Sequence, residues 1–127
     1  MKKVLMIFIA LLFVFTLSSC SKGYTDISNE ELVEMLDSDV DYYFIDVRTF
    51  DEFNTERING FNINYDFYIF DKDHSLLSDL DTTRPVVIMC NSGNRSVEAS
   101  KIFLDIGFTE VYNLKNGIEG WDGETIS

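Results

Sequence analysis

Cys90 ends an apolar run, Val86-Val87-Ile88-Met89, and opens the segment Cys90-Asn91-Ser92-Gly93-Asn94-Arg95, after which apolar residues recur at helical spacing. A strand, a Gly-containing turn and a helix start, in that order, suit a thiol to nucleophilic work. The strand delivers the sulfur to the edge of a sheet, the turn aims backbone N–H groups inward, and the helix start adds positive potential. Arg95 pushes in the same direction, and such surroundings favour the thiolate, which attacks without a general base. The residues after the thiol are those of turns and anion sites rather than of a core, which argues against an inert buried cysteine. A second constellation, Asp46 with Arg48, closes the aromatic-rich run Tyr42-Tyr43-Phe44-Ile45-Asp46-Val47.

The elements that must position these groups follow from periodicity and from stop signals. Ser28 and Glu31 have the form of a capping box, and Leu32, Val33 and Leu36 share a face, so a helix is predicted over Asn29–Asp37. The runs Tyr42–Val47, Val86–Met89 and Val111–Leu114 read as buried strands, with Phe61–Ile63 as a brief one. Short helices are predicted from Phe50 to Asn54 and, after Gly117, around Ile118 and Trp121. Val97, Ala99, Ile102, Phe103 and Ile106 predict a helix that Gly107 stops. The stretch Asn64–Arg84 mixes aromatics with acids; its rings are core packing or a wall over the active-site mouth. Strands alternating with helices imply an α/β sheet that is largely parallel, with ligands at the carboxyl ends of its strands, where Cys90 and Asp46 fall.

The N-terminus reads differently. Lys2 and Lys3 precede an apolar stretch, Val4 to Leu17, too short to span a bilayer comfortably but suited to a secretory signal. Leu17-Ser18-Ser19-Cys20 resembles the lipobox of bacterial lipoproteins, which implies cleavage before Cys20 and a diacylglycerol on its thiol. The expected organisation is a removed signal at 1–19, a lipid-anchored tether at 20–26 and a domain at 27–127. Losing Lys2 and Lys3 makes a chain of formal net charge −12 more acidic still. That surface argues against nucleic acid and against electrostatic binding to anionic lipid, leaving acyl chains as the membrane attachment. With Cys20 lipidated, Cys90 has no intrachain disulfide partner, because the sequence holds 2 cysteines.

Four segments together carry a family resemblance over nearly all of the expected mature chain. Asp46-Val47-Arg48 with Glu52-Phe53 stands first. Arg57-Ile58-Asn59-Gly60-Phe61-Asn62-Ile63 is second, and Cys90-Asn91-Ser92-Gly93-Asn94-Arg95-Ser96 is third. The fourth runs from Gly107-Phe108 through Val111-Tyr112-Asn113-Leu114 to Gly117-Ile118 and Trp121. In order and spacing they resemble a rhodanese-like sulfurtransferase domain. The resemblance implies an α/β fold with a central parallel five-stranded sheet flanked by helices on both faces. It implies that Cys90 takes sulfane sulfur from a small donor such as thiosulfate, holds it as a persulfide and passes it to a thiol, cyanide-like or protein acceptor. Asn91, Ser92, Gly93, Asn94 and Arg95 would then form the cradle.

Cys-based phosphatases place five residues between Cys and Arg; the four here suit a single sulfur atom better than a tetrahedral oxyanion. Arg95 faces either the donor's anionic group or, as the favoured expectation, Asp46; Arg48 is expected to pair with Glu52 or another nearby acid. Arg57, Glu56 and Phe61 replace the family's usual His, Gly and Ala, which bears on local packing. The lone His74 sits in an acidic loop and no metal-ligand cluster is present, so neither metal nor cofactor is expected. The reading is therefore an extracytoplasmic sulfurtransferase on a lipid anchor. Its alternative is a persulfide-carrying or redox-sensing module without turnover of its own.

Overall fold

The structure, a computed structural model, describes residues 23–127. The expected signal at 1–19, the lipidated Cys20 and the first part of the tether lie outside the described residues.

Five parallel strands form the sheet in the order β1-β6-β5-β2-β4, with β1 at Thr25–Ile27, β2 at Tyr43–Asp46, β4 at Ile63–Asn64, β5 at Val86–Met89 and β6 at Val111–Leu114. Side chains alternate across it, as a two-residue period requires. Tyr43, Ile45, Val86 and Ile88 point into a core with Phe70, Leu77, Ala99, Ile102 and Phe103. Val87, Met89 and Leu114 point into the opposite core with Leu32, Ile58 and Phe61. Burial of both faces explains why β5 reads as four consecutive apolar residues, all fully buried.

The flanking helices are α1 (Asn29–Asp37), α2 (Phe50–Thr55), α3 (Phe67–Phe70) and α4 (Asn94–Asp105), with a 3-10 turn at His74–Leu77. Leu32 of α1 packs on one face and Phe103 of α4 on the other, so helices cover both. Ser28 and Glu31 form the expected capping box on α1. Between Asn64 and Arg84, the Tyr43 hydroxyl accepts from the Asp81 amide at 2.9 Å, and Arg84 lies 3.7 Å from the Tyr43 ring centre. These contacts return the chain to β5.

Three expectations are corrected. The sheet's fifth strand, β1, begins at Thr25, inside the segment expected to be tether; with Ile27 as its one buried residue it carries no apolar run to announce it. The strand expected at Phe61–Ile63 starts two residues later, because the Phe61 amide closes a turn onto the Ile58 carbonyl and its ring, fully buried, packs edge-on to Phe44. The helix expected after Gly117 is a series of turns. Gly117 has φ 62°, and the amides of Ile118 and Glu119 donate to the carbonyls of Cys90 and Asn91 instead of to a helix of their own. The chain then closes with β7 (Thr125–Ile126), antiparallel to β3 (Arg57–Ile58), a pair too short to show a period.

Candidate functional site

The catalytic candidate sits where strand order reverses. From β2 the chain moves outward to β4, then crosses back to β5 on the other side of β2 and continues to β6. Adjacent strands whose connections depart in opposite directions open a crevice at their carboxyl ends. Asp46 and Met89, in register there, precede the two functional loops, and the Val47 amide donates to the Met89 carbonyl at 2.9 Å.

Cys90 is 1 % exposed, and its sulfur lies inside the turn it opens. The Gly93 amide donates to Sγ at 3.0 Å, and Ser96 Oγ is 3.3 Å from Sγ. The chain curls this tightly because Gly93 has φ 103°, a left-handed conformation that Cβ-bearing residues disfavour. A Cβ there would also strike the Lys115 carbonyl oxygen. Gly93 caps α4, a helix of 12 residues whose first amides have no carbonyl of their own to bind and face the loop with partial positive charge. Ser96, fully buried in the first turn, is placed with Oγ 3.2 Å from the Gly93 carbonyl, so its hydroxyl can donate to that carbonyl or toward the sulfur.

The other predicted cradle residues divide. Asn91 turns its side chain away from the sulfur, donating from Nδ2 to Glu119 Oε1 at 3.0 Å, while its carbonyl accepts from the Glu119 amide. Ser92 and Asn94 are exposed. Arg95 is the correction: it pairs not with Asp46 but with Glu52, through a two-pronged contact of 2.8 and 3.0 Å. Asp46 is instead held by Arg48, which donates to it from its own amide and from Nε and Nη2 at 2.8–3.1 Å, and to the Glu56 carbonyl at 2.6 Å. Two residues apart, Asp46 and Arg48 close their pair locally as the chain leaves β2. The rim of α2 brings Glu52 to the α4 start, where it meets Arg95. Both pairs are the fork-to-carboxylate kind that fixes geometry.

Glu52 also caps α2. Its Oε1 accepts from the amide and hydroxyl of Thr49, and the Thr49 hydroxyl accepts from the Glu52 amide. Arg95, followed by the Thr49 contacts, holds the Glu52 carboxyl at about 2, well below its usual 4.5, while the same pairing raises Arg95. A depressed carboxylate contributes stability above its unfolded value and loses it as pH falls through its folded value. The pair should therefore contribute fully at pH 5 and above and lose its contribution between pH 4.5 and 2. Solvent screening of this partly exposed pair reduces that contribution to about 1 kcal/mol. Acid unfolding of wild type and Glu52→Gln checks this: the variant lacks the extra slope in that window, and superimposable acid limbs would refute it.

Sequence reasoning missed Glu119 and the amide of Ile118, and nothing in the local pattern announces them. It also missed Glu52 as the partner of Arg95, although Thr49-Phe50-Asp51-Glu52 is a capping-box signature that fixes where that carboxylate stands. Of the aromatics in the 64–84 stretch, Phe70 is core, 1 % exposed, and exposed Tyr68 lies 5.5 Å from the Arg95 guanidinium. Of the departures from the family pattern, Arg57 lies over the Phe53 ring at 4.8 Å. The lone His74 lies in the 3-10 turn and is exposed.

Comparison with known proteins agrees with this geometry. The family model for the rhodanese-like domain matches residues 28–124. The thiosulfate sulfurtransferase GlpE of Glaesserella parasuis is 28% identical over 99 residues, covering 77% of this chain and 86% of that protein. A putative sulfur carrier protein of Bacillus subtilis, YrkF, is 30% identical over 108 residues, covering 85% of this chain and 56% of its own length. Among solved structures, a rhodanese-related protein from Thermoplasma volcanium superposes with a TM-score of 0.67 at 22% identity, covering 81% of this chain and 98% of that one. The thiol at the switch point, its four-residue spacing to Arg95 and the family match over residues 28–124 lead to one assignment: this chain belongs to the rhodanese-like domain family.

Proposed function

We propose that the protein is a sulfurtransferase that moves sulfane sulfur through a Cys90 persulfide. The observation that carries the reading is Sγ held inside a ring closed by the Gly93 amide at 3.0 Å, at the start of α4. In the first half-reaction the Cys90 thiolate attacks the outer sulfur of thiosulfate; the donor's S–S bond breaks and its electron pair leaves on sulfite. In the second, an acceptor thiolate or cyanide attacks the outer sulfur of the persulfide, and the pair of the breaking S–S bond returns to Cys90 Sγ. The Gly93 amide and the first amides of α4 stabilise the sulfur anion of each resting state, while the Arg95–Glu52 and Arg48–Asp46 pairs fix the loop that presents them.

The name of the Bacillus relative supports a second reading, in which the chain carries persulfide to a partner without turnover of its own. Steady-state production of thiocyanate from thiosulfate and cyanide separates the two. Many equivalents per chain are expected for the enzyme; one equivalent, then arrest, supports the carrier and overturns turnover.

The setting we propose is extracytoplasmic, on a bacterial membrane, with the lipid on Cys20. Its support is the basic start, the apolar stretch and the Leu17–Cys20 tetrapeptide. Cells given labelled palmitate should label the wild-type chain in the membrane fraction. Cys20→Ala should lose both label and processing, and a Cys20→Ala chain that keeps the label contradicts the anchor.

A further inference from the structure

The charges around the loop mouth do not match a dianionic donor. The cleft beside the loop, about 370 Å³, is lined by Arg48, Asp51, Glu52, Thr55, Glu56 and Asn91. Both of its neighbouring cations are engaged, Arg48 by Asp46 and Arg95 by Glu52. Glu119 adds a further carboxylate on the Asn91 side chain. Asp46 and Glu52 offset those two guanidinium groups; beyond them stand Asp51 and Glu56 on the cleft and Glu119 on Asn91, against Lys115, whose backbone abuts Gly93. The acids make no site of their own; the site is the thiol, and the cleft they line adjoins it through Asn91.

We propose that this mouth selects sulfur donors and acceptors by charge, favouring thiols and persulfides that carry positive charge over dianions such as thiosulfate. The inference rests on the sulfur-transfer reading. A surplus of negative charge within roughly 10 Å of an approaching dianion slows encounter by about fivefold to tenfold at low salt, and raises it by a smaller factor for a cation. Sulfur leaves Cys90 in the same balanced step as before: the acceptor thiolate bonds the outer sulfur, and the Cys90 Sγ–S bond breaks with its electron pair on Sγ. The carrier's positive charge lies beside that thiolate, as an amine or as flanking basic residues.

The test uses the full-length chain and compares cysteamine, 2-mercaptoethanol and 3-mercaptopropionate as acceptors, with thiosulfate as donor, at about 10 and 150 mM salt, the range over which screening changes most. Salt should raise kcat/KM for thiosulfate about fivefold, lower it for cysteamine about twofold and leave 2-mercaptoethanol nearly unmoved. The double variant Asp51→Asn with Glu56→Gln should shift thiosulfate and cysteamine in those same opposite directions. A Lys-Cys-Lys peptide faster than cysteamine assigns a polypeptide carrier, and equal rates assign a small aminothiol. Salt responses of one sign for all acceptors, or none, overturn the selectivity while leaving sulfur transfer standing. If no donor of any charge forms a Cys90 persulfide, the sulfur-transfer reading itself fails.

Discussion

Cys90→Ser should lower thiosulfate:cyanide transfer about a thousandfold or more while leaving the fold in place. Loss of a nucleophile removes the covalent path altogether, and the rest of the cradle has little to act on without it. A hydroxyl is far too weak an acid to supply the anion that attacks the donor sulfur. Oxygen can still accept from the Gly93 amide, and the site, 1 % exposed, loses little volume, so unfolding should shift by no more than about 1 kcal/mol. Steady-state rates together with denaturant midpoints check both halves. A variant that retains a tenth of the activity would move the nucleophile elsewhere.

Gly117→Ala should damage the cradle from outside it. The segment after β6 lies flat on the Cys loop: Ile118 N donates to the Cys90 carbonyl and Glu119 N to the Asn91 carbonyl, each at 3.0 Å. At Gly117, φ is 62°, and an added Cβ would stand 2.6 Å from the Cys90 carbonyl oxygen and the Asn91 carbonyl carbon, with the Asn91 oxygen closer still. Backbone cannot yield as a side-chain tip can, so either the loop or the clamp must move. Strain of that kind costs about 1–3 kcal/mol. Because the clamp fixes the two residues that begin the cradle, persulfide formation should slow about ten- to a hundredfold, in line with the sensitivity of catalysis to displacements near 1 Å. Single-turnover rates measured below the unfolding transition separate this from loss of folded protein. Unchanged rates in the destabilised variant would show that the clamp serves stability alone.

The parts legible in the sequence are those with a period or a cap. Val86–Met89 could be read because burial on both faces demands an unbroken apolar run, and α1 because Ser28 and Glu31 cap it above an apolar stripe. Cys90 could be read because its neighbours are turn formers, not core formers. What escaped was long-range. Thr25–Ile27 is a strand because an edge position beside β6 was open to it, not because three residues prefer extension. Gly117–Gly120 forms turns because the amides of Ile118 and Glu119 serve Cys90 and Asn91, a tertiary demand that overrides local preference. The arginine partners were exchanged for a similar reason. Arg95 is anchored by whatever carboxylate α2 delivers to the start of α4, and that depends on where Thr49 and Glu52 cap the helix. The capping signature was present in the sequence, but its consequence for Arg95 needed the fold.

On this mechanism Cys90 itself holds the transferred sulfur. Intact mass of the purified full-length chain, taken after exposure to thiosulfate and removal of excess donor, tests it most directly. Addition of one sulfur atom, about 32 Da, is expected on the wild type, lost on treatment with cyanide and absent from Cys90→Ser. An adduct that persists in Cys90→Ser, or no adduct on the wild type at any donor concentration, would contradict the account.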